Sequence, residues 1–434
     1  MKRTSATLFL IAHCLALALP SAHADSGPRA KARVPAKAQA PRQAAAMRPA
    51  VASHAAARSP VRHEVRDGEP EARLIEVYKL IGQADSRQAL RKAENLVRDH
   101  PNFQLAQLVY GDLLSGQTRP LRTLGDVPDT TAKSAAQQLA ELREESQLRL
   151  RALRERPPSG AIPSQFLALS PRSRHAIAVD ASRSRLYLFE NGSDGLKLVA
   201  DYYISVGKLG IEKNVEGDQR TPLGVYFITS NLDPKSLKDF YGSGALPINY
   251  PNQLDLKRGK TGGGIWLHGT PSDQYSRAPL STDGCVVIAN PDLARIIKTV
   301  EIRSTPVVIA PSLKWVAPQS LKADSKQFED ALQAWHSAKS SGDVARLTSW
   351  YAPDFNTLGK TLTEWQPALQ TELKQLGGRG IELKDVSYLR WTDSNDTMVV
   401  TFAELVKGAK TGRVKRQYWS RHGSQWKIFF EGTV

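Results

Sequence analysis

From residue 71 onward the hydrophobic positions change their period along the chain. Between 71 and 117 they recur at helical spacing in three pieces, 74–81, 86–98 and 103–115; Asp85-Ser86 caps the second and Pro101 separates it from the third. A longer helix, 131–156, mixes Leu139, Leu142, Leu148, Leu150 and Leu153 with charged residues and stops at Pro157-Pro158. From His175 the period shortens to two. Runs at 175–180, 185–190, 197–206, 224–229, 264–268 and 307–310, parted by Gly, Asn and Asp turns, predict a mostly-β domain. After a proline-containing link at 311–318, helices are predicted at 326–340, 343–351 and 363–376. Four strands follow, at 381–391, 397–406, 413–421 and 425–430. Helices followed by an antiparallel meander predict an α+β cone, and the whole reads as a multidomain α+β chain with folded units at 66–160, 168–312 and 320–434.

In the first unit, Ala89, Ala93, Leu96 and Pro101 lie where a tetratricopeptide-like hairpin places its small packing residues and terminal proline. One such hairpin is too few for a solenoid, which needs ~3 repeats. Its apolar stripe should therefore pack on another domain or on a second copy of the chain, making this a helical interaction or dimerisation region; a self-contained spacer is the plainer alternative.

Composition narrows the class. With 41% hydrophobic and 24% charged residues the chain is neither fibrous, wholly disordered nor a multi-span membrane protein. Lys2 and Arg3 precede an apolar run, 8–19, and Ala22-His23-Ala24 offers small residues for cleavage, so 1–24 reads as a secretory signal peptide too short for a ~20-residue span. The expected compartment is the periplasm or cell envelope. Residues 25–65 are Ala, Pro, Arg and Lys with almost no large apolar side chain, and should form a disordered basic linker. The stretch 25–63 carries +7 of the whole chain's +16, which suits an anionic wall polymer or a solubilising tail equally.

Removing the signal removes Cys14 and leaves one thiol, Cys285, for an oxidising compartment. No internal disulfide is then possible. The run ending in His268 delivers an imidazole to a strand end, followed by Gly269-Thr270. A loop of sixteen residues separates His268 from Cys285, which is preceded by Ser281-Thr282-Asp283-Gly284. A thiol needs a base to act as a nucleophile near neutrality, and the base needs an acceptor that fixes its tautomer.

These residues resemble the L,D-transpeptidase family, the YkuD domain. The likeness rests on His268-Gly269, Gly284-Cys285-Val286 and the upstream Gly217-Asp218-Gln219-Arg220-Thr221-Pro222-Leu223-Gly224, and covers 168–312. It implies a β-sandwich with Cys285 as the acyl-accepting nucleophile, His268 as its base and the Gly269 carbonyl as the orienting group. Backbone amides of Gly284 and Cys285 would meet an oxyanion. Arg220, Lys213, Arg277 and Lys257 become candidates for stem-peptide carboxylates, with Tyr250 and Asp283 as further substrate-binding candidates. Two positions depart from the family pattern: Asp283 replaces a histidine and Val287 an arginine. With Asn249-Tyr250-Pro251-Asn252, this version resembles the subgroup that detaches Braun's lipoprotein from murein and the cell-shape L,D-carboxypeptidases. Those carry a nuclear-transport-factor-2-like domain, which Trp335, Asp343, Leu347, Tyr351 and Phe355 also suggest here; the aromatics read as core rather than as a ligand box.

The implied partners are peptidoglycan stem peptides and an envelope protein as acceptor or substrate. No cofactor, metal or nucleic acid is expected: HExxH and paired-histidine motifs are missing, and nucleic-acid binding would explain the charge but neither the signal nor the His/Cys pair. The thioester could be resolved by an amine or by water. A non-catalytic wall-binding scaffold is the rival from another class. Asp283 either biases the outcome toward hydrolysis or caps the turn before Gly284.

Overall fold

The computed structural model describes residues 67–434; the predicted signal and basic linker lie outside them. Helices Glu69–Gly82, Ser86–Asp99 and Gln104–Ser115 form the expected hairpin and its extension. Pro70 opens the first helix, and Asp85 caps the second by accepting from the Gln88 amide at 3.1 Å. Ala89, Ala93 and Leu96 are buried where the helices meet. The long helix expected at 131–156 is broken at Ala135 into Asp129–Ser134 and Ala136–Arg154, with the Ser134 hydroxyl bonded back to the Thr131 carbonyl at 3.1 Å. No helix among the described residues is long and apolar enough to cross a membrane.

The apolar stripe of this region is covered within the chain. Leu74, Val77, Phe103 and Val109 share a cluster with Tyr275 and Ala289 of the β domain, and the Phe103 and Tyr275 rings lie 4.1 Å apart. Packing on another domain thus accounts for these residues, while Ile81 and Leu114 stay exposed. A buried ionic network fastens the same junction. Glu71 accepts from Arg149 at 2.8 Å and Arg185 at 2.7 Å; Arg149 also pairs with Glu145 at 2.7 Å, and Arg185 with Asp201. Removing one member of such a network strands a buried charge, a cost of about 3–5 kcal/mol.

The central unit is a nine-stranded sheet. Its order is Gly224–Phe227, Pro306–Ala310, His175–Asp180, Arg185–Gly192, Gly195–Gly207, Val286–Ile288, Trp266–His268 and Ala245–Pro247, with Leu280–Thr282 also paired to the long strand Gly195–Gly207. The sheet folds about that long strand. Ile177, Leu186 and Ile309 from one half thus pack on Leu246, Leu267 and Ile288 from the other, and helix Asn290–Thr299 adds Leu293 and Ile296. The opposite face, with Tyr187 and Phe189, packs on the C-terminal unit through Tyr418, Phe429 and Phe430.

The C-terminal unit has helices Pro318–Ser341, Val344–Thr348 and Leu362–Leu376 against strands Ile381–Thr392, Asp396–Val406, Arg413–His422 and Gln425–Thr433. Its first helix starts eight residues before the expected position, with Pro318 in its first turn rather than in a linker. A fifth strand, Phe166–Ala168, joins this sheet from before the β domain. Trp335, Leu347, Tyr351 and Phe355 are buried in its core, and Asp343 caps a helix by accepting from the Arg346 amide at 3.0 Å.

Candidate active site

Strands Trp266–His268 and Val286–Ile288 run parallel, with Leu267 opposite Val286 and His268 opposite Val287. That register sets Cys285 beside Trp266, at the start of its strand, two positions back from His268 at the end of the neighbouring strand. The intervening loop returns tightly. Gly284 has φ of +124°, and a Cβ there would stand 2.7 Å from the Arg220 carbonyl oxygen, so only glycine fits. Thr221 locks the approach, its hydroxyl donating to Gly284 O and accepting from Gly207 N, both at 2.9 Å. Thr282 Oγ1 accepts from the Gly284 amide at 3.1 Å and donates to Cys285 O at 2.7 Å. The turn is therefore capped by Thr282 and not by Asp283. The Gly284 amide, expected to meet an oxyanion, is committed to that hydroxyl.

His268 is 1% exposed, and its Nδ1 lies 2.7 Å from Gly269 O. This bond makes Nδ1 the proton-bearing nitrogen and leaves Nε2 as the base. Burial pushes the imidazole pKa down to about 4; the Gly269 carbonyl opposes the shift and the Arg277 charge adds to it. Phe240 and Tyr241 flank the ring with centroids at 5.8 and 5.1 Å. Gly269 is hemmed in by Asn290, whose Oδ1 accepts from Ser243 N at 2.8 Å and Thr270 N at 3.2 Å, so a Cβ would collide with it.

The half-buried thiol of Cys285 donates to Gly264 O at 3.5 Å. Burial raises its pKa, the Trp266 amide directed at it lowers it, Asp283 raises it, and Arg277 and Lys213 lower it. At neutral pH the resting pair is thus thiol and neutral imidazole, not an ion pair.

The other candidates separate. Arg277 is brought to the thiol: its guanidinium stacks on Phe240 at 5.3 Å, donates to Ser281 O at 2.6 Å, and keeps Nη1 buried without a partner among the described residues. Arg220 donates from Nη1 to Ile211 O at 3.0 Å. Lys213 is buried, bonded to Asp218 at 2.8 Å and Val215 O at 2.9 Å, so it organises its loop instead of waiting for a carboxylate. Lys257 pairs with Asp354 of the C-terminal unit and lies over Phe429, at the domain boundary. Tyr250 is a core residue, 6% exposed, its hydroxyl donating to Thr261 O at 3.1 Å. Asp283 is exposed and held by Lys208 at 3.0 Å and Gln219 at 3.1 Å. The sequence reading missed Asn290, the Trp266 amide and the Phe240-Tyr241 wall. Only the aromatic pair had a visible signal, as a doublet in a polar loop.

The site thus has a half-buried cysteine on the strand next to the one that ends in a buried, carbonyl-anchored histidine. Residues 174–309 are a YkuD L,D-transpeptidase catalytic domain, and 327–432 match the Cds6 C-terminal NTF2-like domain. The chain therefore joins an L,D-transpeptidase catalytic domain to an NTF2-like domain, and the catalytic domain implies a peptidoglycan substrate. Among solved structures, Bd1075 of Bdellovibrio bacteriovorus aligns with a TM-score of 0.53 at 23% identity, covering 63% of this chain and 98% of that one. The helical cell shape determining protein Pgp2 of Campylobacter jejuni aligns with a TM-score of 0.50 at 20% identity, covering 67% and 99%. These likenesses show a shared fold. No curated protein matches the sequence.

Proposed function

We propose that the protein is an exported enzyme that acts on peptidoglycan stem peptides through a thioester on Cys285. The observation that carries this reading is the parallel pairing that sets Cys285 beside the strand ending in His268, with Nδ1 anchored on Gly269 O at 2.7 Å. Cys285 Sγ attacks the carbonyl of an amide between an L-centre and a D-residue while Nε2 of His268 takes the thiol proton. The tetrahedral oxyanion is met by the Cys285 amide, since that of Gly284 already bonds Thr282. His268 then returns the proton to the departing amine, the C–N bond breaks, and the thioester remains. Water or an amine attacks the thioester, His268 again accepts the proton, and the thiol is regenerated. Arg277 is placed to hold a stem-peptide carboxylate. Asp283 favours water as the resolving nucleophile and so trimming over cross-linking.

The test is incubation of the purified protein with tetrapeptide muropeptides, with and without an amine acceptor. Release of the terminal D-amino acid, dependent on Cys285, supports the proposal. Binding without turnover would favour the scaffold.

A further inference from the structure

The two faces of strand Arg413–His422 do different things. Lys415 and Gln417 point into the cone: Lys415 bonds Glu372 at 2.7 Å and Glu431 at 3.3 Å, and Gln417 bonds Glu431 at 2.7 Å. Arg416 and Tyr418 point the other way, toward the catalytic domain. There a cavity of about 390 Å³ lies between the two units, walled by Phe227 and Pro306 on one side and Leu389 on the other, with Arg416 in its lining.

Arg416 is only 8% exposed and has no ion-pair partner among the described residues. The guanidinium carbon Cζ lies over the Phe227 ring, 3.3 Å from its centroid, and Nε donates to Thr401 Oγ1 at 2.9 Å. Stacking uses the face of the guanidinium and leaves its in-plane donors for other groups. Nη1 and Nη2 donate to nothing among the described residues. Burial draws the pKa down to about 10, yet the group remains charged at neutral pH. The two Nη groups thus reach the cavity with no partner among the described residues, leaving a fork of donors for an anion that enters it. Arg172, at the rim, is spent on Asp385 at 3.5 Å, while Arg303 has no ion-pair partner among the described residues.

We propose that this inter-domain cavity binds a small carboxylate with an apolar body, its carboxylate taken by the free Nη pair of Arg416 and its body by Phe227, Pro306 and Leu389. A planar fork matches a carboxylate in two parallel hydrogen bonds. Asp385 in the lining disfavours a dianion such as a phosphate monoester. The volume suits a molecule at the small end of ordinary ligand sites. The cavity is separate from Cys285 and makes no use of its chemistry.

The test is calorimetric titration of the full chain with benzoate, its neutral isostere benzamide, and phenyl phosphate, alongside thermal melts. Expected are one benzoate site, at least tenfold weaker binding of benzamide and phenyl phosphate, and at least tenfold loss of benzoate affinity in Arg416→Met with no loss in Arg277→Gln. Unliganded Arg416→Met should melt at or above wild type, because an unpaired buried charge has been removed, and benzoate should raise the melting temperature of wild type alone. Equal binding of benzoate and benzamide, tighter phenyl phosphate, benzoate binding that survives Arg416→Met, or loss of binding in Arg277→Gln would each overturn the proposal. So would a lower melting temperature in Arg416→Met without benzoate binding by wild type, which is the signature of an arginine that merely stacks the domains together.

Discussion

Nδ1 of His268 lies 2.7 Å from the carbonyl oxygen of Gly269, its own neighbour in the chain. The bond settles which nitrogen carries the proton, and burial holds the ring near pKa 4, so the imidazole is a neutral base across the physiological range. The active form needs His268 unprotonated. Activity should therefore rise through pH about 4 and stay level to neutrality, whereas an unperturbed histidine would place the acid limb near ~6.5. His268→Ala should lose ~10²-fold or more in rate and lose that limb. A pH–rate profile of amide cleavage checks both, and a wild-type limb near 6.5 would count against the buried, neutral base.

Gly284 should be intolerant of any side chain. Its φ of +124° and the Arg220 carbonyl 2.7 Å from a notional Cβ mean that Gly284→Ala must displace the backbone that presents the thiol. A strain cost on the order of 1–3 kcal/mol is expected, with acylation slowed more than tenfold. Cys285→Ala, by contrast, trims a small half-buried side chain and should melt close to wild type. Thermal melts and acylation rates of the two variants separate geometry from chemistry.

Asp283 replaces the family's histidine, and the structure shows its charge shared with Lys208 at 3.0 Å. Asp283→His should shift products from trimmed toward cross-linked peptide, each ~1.4 kcal/mol of barrier difference counting as tenfold in the ratio. Lys208→Ala, which leaves the carboxylate without that ion pair, should shift them the opposite way. Val287 is 2% exposed within the sheet, so Val287→Arg would test packing as much as charge. Quantified muropeptide products decide the matter; a ratio unmoved by either Asp283→His or Lys208→Ala would leave the aspartate without a role in partition.

The docked helical region should respond to pH. Asp292, 4% exposed and packed against Gly68, has its pKa raised to about 7 by burial and by Glu71, against the pull of Arg149, Arg295 and Arg185. A carboxyl whose folded pKa is raised binds its proton more tightly in the folded state, so its contribution is full at acid pH and is lost as pH rises through about 7. The melting temperature of wild type relative to Asp292→Asn should accordingly fall between pH 5 and 8. A pH-independent difference would refute the coupling.

What could be read from the sequence follows from how local each signal is. Strands of five or more residues, such as Pro306–Ala310 and Arg185–Gly192, showed themselves by their apolar period and turns. Ala245–Pro247, Leu280–Thr282 and Val286–Ile288 have three residues each, too short for a period to register. Phe166–Ala168 pairs with a strand more than two hundred residues later, around Leu389, and nothing near it in the sequence announces that partner. Within the site, Cys285 and His268 could be singled out because one is the sole thiol after the expected cleavage and the other ends a strand. Tyr250 could not be told from a ligand-binding tyrosine, since an aromatic in a polar segment looks alike whether it faces substrate or core. The Glu71 network has no pattern at all: its four partners come from three distant segments and meet only when the helices dock.

The central claim is that Cys285 forms an acyl-enzyme with His268 as its base, and intact-mass analysis after incubation with a carbapenem tests it most directly. Opening of the lactam by the thiol adds the whole inhibitor mass. The account predicts a single adduct that maps to Cys285, is missing in Cys285→Ala, and forms at least ~10²-fold more slowly in His268→Ala. No adduct in the wild type, or an adduct that survives Cys285→Ala, would contradict it.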